Sequence, residues 1–529
     1  MGVWAKSLQI FNGLCDNGKQ SVRRVAQKTG FSKSSVHRLQ QARARRDTHP
    51  ESWWWETEDG RCWLIRLVVA TLYPFGLTRG VGAETISEFF GRLRLETHVG
   101  CSPSALRGVM QALEHVLLET AEAWEHEGIA AGEVRPIIGA VDATFLECMM
   151  LVFMDLVSGY LLFEEVAEDR TSTTWYALVE ARLEALGVGV LSLVSDRAKA
   201  LIKLAEQGLE CLSIPDVFHL IHDLVKSYSL AICGPLRQAR QALHQARESL
   251  TTCQASHRSS DEAQQAQAEV EAREAEVERW ESVHSAYRHH LETVSLIVHP
   301  WRICNSTPQT SQEVERRLHA EIDAITAFIE THGLPAKKKA VEKVRKQLAG
   351  VSALVDLWWQ RVWHDVQQVA LTPMWKRWVD EQLLPLMYWQ HQVLRTRCPR
   401  RKAKLLQALE SVQDAFATHL ITAQLAPEVL AGWKAWAAEH AKAFQRASSA
   451  VEGRNGALAQ LHHNQRGFPK RRYKVWTVLH NFDCRAPDGT TPAARFFRRG
   501  FPDLFETVLS TIDDLPRPRQ RNQAMALSG

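Results

Sequence analysis

Ile137-Ile-Gly-Ala-Val-Asp-Ala-Thr-Phe145, Cys148-Met-Met-Leu-Val-Phe-Met-Asp155 and Tyr160-Leu-Leu-Phe-Glu-Glu-Val166 are three apolar runs of strand length, set close together. Ser158-Gly159 makes a tight connection between the last two, as a hairpin requires. Working outward, the pattern predicts a helix from Thr173 to about Leu186 and a strand from Val188 to Val194. A second helix from Arg197 and a short strand from Cys211 to Ile214 follow. Asp142 falls in the middle of the first run, with apolar neighbours on both sides. A carboxylate in such a setting is expensive unless it is paired or binds a metal. Asp196 closes the fourth strand in Leu193-Val-Ser-Asp-Arg-Ala198.

Three strands, helix, strand, helix, strand is the order of an RNase H-like core, so the fold class expected here is α/β with a mixed five-stranded sheet. In that topology the first and fourth strands are neighbours, which sets Asp142 and Asp196 at the same edge. Glu452, in Ser448-Ser-Ala-Val-Glu-Gly-Arg-Asn455, lies on a helix able to pack across that edge. Three converging carboxylates suit the hard oxygen preference of Mg²⁺ or Mn²⁺. Two such ions, ~3.5–4 Å apart, would activate a water or a 3′-hydroxyl and stabilise the leaving oxygen. The plainer readings are that Asp196 caps the following helix and that Glu452 is an ordinary exposed helix acid.

The 529-residue length exceeds what one core serves and implies several domains. No run approaches the ~20 apolar residues of a membrane helix, and the N-terminus lacks the pattern of a secretory signal. A cytoplasmic protein, nucleoid-associated and with no membrane partner, is expected. The ten cysteines are scattered with no CxxC pair, which argues against a zinc ribbon or redox dithiol. A net charge of +4 permits a nucleic-acid partner without demanding one.

Residues 1–50 read as a helix-turn-helix domain. Val22, Val25 and Ala26 form one apolar face, Gly30 the turn, and Ser32 the N-cap of a helix that turns Val36 and Leu39 inward. Lys33, Ser34, Ser35, His37 and Arg38 point outward and suit phosphates and base edges; a plain helical hairpin is the alternative. Residues 51–132 are helical, a second DNA-binding or linker domain. Ile86, Phe89, Phe90, a turn near Gly100 and Ser102-Pro103 repeat the helix-turn-helix pattern, with core packing as the alternative to DNA contact, and Trp53, Trp54 and Trp55 read as a packing anchor. The core occupies 133–233 and resumes at 447–514, carrying the third acid. Between them, 234–446 is a helical insertion. Gly234-Pro235 opens a helix with a seam at Leu236, Ala239, Leu243, Ala246 and Leu250, and Ser259 with Glu262 fits a capping box. Ala263, Ala266, Val270, Val277, Trp280, His284 and Tyr287 return as an antiparallel coiled-coil hairpin, and the tryptophan-rich remainder reads as a bundle. Lys470, Arg471, Arg472 and Lys474, interleaved with Phe468, Tyr473 and Trp476, form a candidate backbone-and-stacking surface, with a solvated charged face as the alternative. The tail at 515–529 is expected to be disordered.

The segments Val141–Tyr160, Leu193–His222 and Val451–Arg495 resemble bacterial insertion-sequence transposases of the DDE superfamily. The large insertion between second and third acids resembles the hAT-type layout. Pro215-Asp-Val-Phe-His219 is similar to the Asp/Cys-x-x-His element of some such families. That likeness implies His219 as a catalytic residue beside the scissile phosphate or metals, with Asp216 in support; a helix cap and a polar core histidine are the plainer roles. His480-Asn-Phe482 and Asp488-Gly-Thr-Thr-Pro-Ala-Ala-Arg495 also look like the ending of these proteins. The Tyr-Arg-Glu-Lys signature of some members is absent around Glu452, although Arg454 remains a candidate phosphate contact. The resemblance implies double-stranded DNA partners (transposon ends and target DNA), a homodimer or higher homo-oligomer, and two Mg²⁺ or Mn²⁺ ions for strand cleavage and transfer. The competing expectations are another RNase H-like nuclease, such as a resolvase or RNA-strand hydrolase, and a catalytically silent transposase-derived DNA-binding protein.

Overall fold

The computed structural model describes residues 3–16, 20–46, 54–55, 57–129, 134–255, 260–367, 369, 371–445, 449–465 and 471–518. Three N-terminal helices, α1 (Val3–Asp16), α2 (Val22–Thr29) and α3 (Lys33–Arg46), gather around their own small core of Phe11, Val25 and Val36. Gly30 turns the chain between α2 and α3 at φ +72°, and its N–H closes α2 on the carbonyl of Ala26 at 3.0 Å. Ser32 caps α3 by accepting the Ser35 N–H at 3.1 Å. The two helices and the glycine turn expected of this stretch are therefore present.

α4 (Glu58–Thr71), α5 (Ala83–Arg92) and α6 (Pro103–Gly128) belong instead to the main hydrophobic core, to which Ile86, Phe90 and Leu106 contribute buried side chains. Trp55 packs on that core as an anchor, while Trp53 lies outside the described residues. The turn at Gly100 is covered: its N–H donates to the carbonyl of Pro516 at 2.6 Å, and a Cβ there would meet the Arg517 carbonyl oxygen at 2.7 Å. The expected disorder after Leu515 is thus corrected for residues up to 518, which are held by a backbone hydrogen bond to another part of the chain; 519–529 lie outside the described residues.

The apolar runs pair into one mixed sheet. β1 (Arg135–Leu146), β2 (Cys148–Asp155) and β3 (Leu161–Ala167) form an antiparallel meander, and β4 (Val188–Ser195) and β5 (Leu212–Pro215) add in parallel beyond β1. The order is β3-β2-β1-β4-β5. Gly159 makes the β2–β3 turn at φ +76°, and the buried Asp155 carboxylate accepts both the N–H and the hydroxyl of Ser158. Parallel pairing demands crossovers. α7 (Ser172–Leu186) supplies the first; α8 (Lys199–Lys203) and the wider turn Leu204–Gly208 supply the second. The second helix starts two residues later than the sequence suggests, because Arg197 takes a left-handed φ of +59°.

A larger correction concerns the insertion. α9 (Val217–Ala255) begins directly after β5 and runs through Pro235 without a break in its buried face. Val217, Leu220, Leu224, Tyr228, Ile232, Leu236 and Ala239 recur at steps of three and four, so tertiary burial carries the helix past a proline that the sequence suggests as a start. α10 (Ser260–Ile297) returns antiparallel, with Arg240–Glu281 at 2.7 Å and Arg247–Glu274 at 2.6 Å bridging the hairpin; Ser259 of the expected capping box lies outside the described residues. The helices α11 (Ser311–Thr331) to α18 (Pro427–Ala443) pack around Trp301, Trp358, Tyr388, Trp389 and Phe444. Their indole N–H groups are satisfied internally, Trp358 on the His440 carbonyl at 2.8 Å and Trp389 on the Ser306 hydroxyl at 3.0 Å. No helix among the described residues is long and apolar enough to cross a membrane.

The chain then returns to the sheet with α19 (Ser449–Gln465), α20 (Arg472–Phe482), α21 (Pro492–Phe497) and α22 (Leu504–Ser510). Asn481 behaves as an extra strand residue beside β3: its Oδ1 accepts the Leu161 N–H at 2.8 Å and its Nδ2 donates to the Leu161 carbonyl at 2.9 Å. His480 Nε2 lies 2.9 Å from the Gly159 carbonyl, and Arg495 Nε donates to the Ser158 carbonyl at 2.9 Å. The His480-Asn-Phe482 and Arg495 elements thus brace the β2–β3 turn and close the edge strand. Asn481→Leu keeps the volume and strands two buried backbone groups; it should cost about 2–4 kcal/mol, read as a lowered urea midpoint of unfolding.

Candidate functional site

Asp142 sits on β1 opposite Val152 of β2, and on its other side β1 pairs with β4 as far as Ala140 opposite Val194. Asp142 and Asp196 each lie two residues beyond that last pair, so the parallel register sets the two carboxylates at the same level, Asp142 within β1 and Asp196 just past the end of β4. Asp142 is half-buried; its Oδ1 accepts the Ala143 N–H at 2.8 Å and its Oδ2 accepts the Asn455 Nδ2 hydrogen at 2.7 Å. Asp196 is exposed, and its Oδ1 accepts the Ala198 N–H at 2.8 Å. The cap of α8 is Ala198 without a side-chain bond, so the capping role weighed for Asp196 does not occur; its carboxylate holds an N–H of the turn before the helix.

Two side chains of α19 fix the helix to the sheet. Arg454 forms a two-pronged pair with Glu164 of β3, at 2.6 and 2.8 Å, with side chains 9% and 0% exposed. Thr477 of α20 donates a third bond to Glu164 at 2.6 Å. Asn455 fixes the same helix to β1 through Asp142. Glu452, one turn earlier, is thereby held at the sheet rim, with its Oε1 2.8 Å from His219 Nε2. His219 lies in the first turn of α9, whose start is organised by the buried Asp216: the Phe218 N–H meets its carboxylate at 2.6 Å, and its own N–H meets the Ser195 carbonyl at 2.9 Å.

The charges converge on Asp142. Burial pushes its carboxyl up, the charges of Glu452 and Asp196 push it further, and the Ala143 N–H and His219 oppose them; it rests at about 6. Among the described residues the group of three ligand-type side chains whose ligand atoms lie within 4.8 Å of one another is Asp216, His219 and Glu452, with Glu452 2.8 Å from the histidine. Glu452 thus stands between two groups of oxygen and nitrogen donors. The strands bring Asp142 and Asp196 together and α19 brings Glu452 to them, but its carboxylate contacts His219 instead of sharing an ion-sized space with both aspartates.

Several expected DNA contacts are corrected by these positions. Arg454 is committed to Glu164 inside the protein and is not free to meet a phosphate. Arg472 pairs with Glu114 and donates to the Gly76 carbonyl, while Lys474 pairs with Glu165 at 3.1 Å but stays exposed. Tyr473 and Trp476 are buried, the indole N–H bonding the Leu77 carbonyl at 2.9 Å, so the stacking face expected of this run is core packing. A helix period places both aromatic residues inward while the basic residues pair with acids of neighbouring elements. Arg471 stays exposed, and Lys470 and Phe468 lie outside the described residues. In the helix-turn-helix, Lys33, Ser34 and His37 are exposed and Ser35 and Arg38 half-buried, with Arg38 Nε on the Ser34 carbonyl at 3.3 Å.

Asn455 escapes the sequence reading as a site residue. The available signal is its place one turn after Glu452, which puts both on one face of a helix.

A family of unknown function, DUF6399, matches residues 379–524, under a third of the chain. The matched stretch holds Glu452, Asn455 and the bracing residues Asn481 and Arg495, and it excludes Asp142 and Asp196. No curated protein matches the chain.

Arg454→Met leaves Glu164 buried without a counter-charge and should cost about 3–5 kcal/mol in denaturant unfolding, most of it recovered by the double variant with Glu164→Leu. A carboxyl raised to about 6 takes up a proton on folding, so its contribution to stability is full below the ordinary Asp range and is lost as pH rises through about 6. Asp142→Asn should therefore stabilise the chain by about 1–3 kcal/mol at pH 7 in EDTA, with the difference vanishing near pH 4. Thermal melts across that range provide the measurement.

Proposed function

We propose that this chain is a DDE-type DNA transposase with an RNase H-like catalytic core, in which Asp142, Asp196 and Glu452 hold two Mg²⁺ or Mn²⁺ ions. The observation that carries the proposal is the register of β1 and β4, with Asp142 inside β1 level with Asp196 just past the end of β4, and α19 fixed to Asp142 so that Glu452 lies close by. The donor chemistry suits such ions, because the oxygens are hard and the charges of Glu452 and Asp196 fall on a partly buried Asp142; Glu452 would turn from His219 to join the two aspartates. Arg454, the nearby cation on α19, is already neutralised by Glu164. When bound, the ions would supply an activated water or 3′-hydroxyl and would stabilise the leaving oxygen.

The chain's own residues supply placement. Asp142 is held at both carboxylate oxygens by N–H donors, which fixes its orientation before any ligand arrives. His219, 32% exposed at its side chain, is the cationic-capable group best placed to meet a scissile phosphate, and Asp216 orders the turn that carries it. The exposed Lys33, Ser34 and His37 of α3, with Ser35 and Arg38 beside them, form the surface that would read the terminal repeats of the element. Two ends handled together imply at least two protomers, acting in the cytoplasm on nucleoid DNA.

The test is cleavage of duplexes carrying the inverted repeats that flank the reading frame. Wild type with Mg²⁺ should nick at the repeat boundary and join the freed 3′-end to a second duplex, while Asp142→Ala, Asp196→Ala and Glu452→Ala should each fall to background. Retained cutting by a variant would remove that residue from the site. Nicking without joining would favour a plain nuclease, and no metal-dependent cutting by wild type would sink the proposal.

A further inference from the structure

Asn455, which fixes α19 to Asp142, also carries an acceptor that nothing above employs. Asn455 donates one Nδ2 hydrogen to Asp142 Oδ2 at 2.7 Å, and its Oδ1 is buried with no hydrogen-bond partner. The amide orientation is fixed by chemistry, because the reverse would set its carbonyl oxygen against a carboxylate oxygen. A buried acceptor left unpaired costs on the order of 1–3 kcal/mol, and a native chain tolerates it where a ligand or water completes it. Glu452 stands one turn away on the same helix face, and the charges of Glu452 and Asp196 act on the carboxyl that Asn455 holds.

We infer that Asn455 is a positioning residue for a divalent ion at Asp142: its N–H fixes the carboxylate, and its Oδ1 accepts a hydrogen bond from water bound to the ion. The inference rests on the metal-dependent reading above and adds a residue to it. Asp142 has an N–H on each oxygen, from Ala143 and from Asn455, and the remaining lone pairs are left for a cation. Rotation of Asp142 away from that orientation would require breaking both bonds. Outer partners that orient a ligating group and its waters typically change metal affinity or activity by about 10–100-fold when removed.

The experiment is Mn²⁺ binding to the full chain, followed through the electron paramagnetic resonance of free Mn²⁺, beside unfolding in EDTA. Asn455→Leu should bind Mn²⁺ about 10–100-fold more weakly than wild type while unfolding at a similar midpoint in EDTA. Asn455→Ser, which keeps a hydroxyl too short to reach Asp142, should show the same loss and gives the reading if the leucine variant fails to fold. Asn455→Asp replaces the donor with a carboxylate. It should bind Mn²⁺ yet nick terminal-repeat DNA at least tenfold more slowly, which separates loss of orientation from loss of charge. Folded Leu and Ser variants that bind within twofold of wild type would overturn the inference while leaving the metal reading intact. Absence of Mn²⁺ binding by wild type, with Asp142→Asn indistinguishable from it, would overturn both.

Discussion

The ion pair between Arg454 and Glu164 is the contact on which the arrangement of the site depends. It is shielded from solvent, two-pronged, and joins a helix returning from a long insertion to a strand laid down some 290 positions earlier. A buried pair of this kind adds little net stability over an apolar contact, yet it is costly to break and admits few alternatives. That asymmetry makes it a register device. With Arg454 seated, the helix can rotate little, and Glu452 and Asn455 on its other side fall at the rim of the sheet.

The same economy of charge explains why Arg454 and Arg472 are withheld from the surface. Arg454, Arg472 and Lys474 are each matched to an acid from another element, Glu164, Glu114 and Glu165. Among the described residues the acids Asp142, Asp196 and Glu452 have no such arginine among their polar contacts; N–H groups and His219 serve them instead. Positive charge is thus consumed in fastening the returning segment, and negative charge is left concentrated at one end of the sheet. A local excess of partly buried carboxylate is a condition that divalent cations relieve.

The insertion also contributes to the site rather than only interrupting the core. α9 begins at the end of β5, so His219 belongs at once to the last turn of the sheet layer and to the first turn of the hairpin. Movement of the hairpin would act directly on the histidine that contacts Glu452. At the opposite edge, the amide of Asn481 takes over the role of a neighbouring strand for Leu161, and Arg495 secures the turn at Ser158. The C-terminal segment therefore closes an edge that would otherwise offer unpaired backbone groups.

By itself the sequence determined the local elements: five strands in order, two N-terminal helices with their glycine turn, the hairpin of the insertion, one aspartate set in an apolar run and another closing a strand. These are legible because period, turn residues and the cost of an isolated charge are properties of neighbouring positions. Tertiary structure decided the partnerships. It turned Tyr473 and Trp476 inward, committed Arg454 to Glu164, continued α9 through Pro235, held the chain beyond Leu515 on Gly100, and gave Asn455 its place beside Asp142. Each of these depends on which distant group lies opposite, and burial or pairing across the fold outweighs the local preference of a single residue.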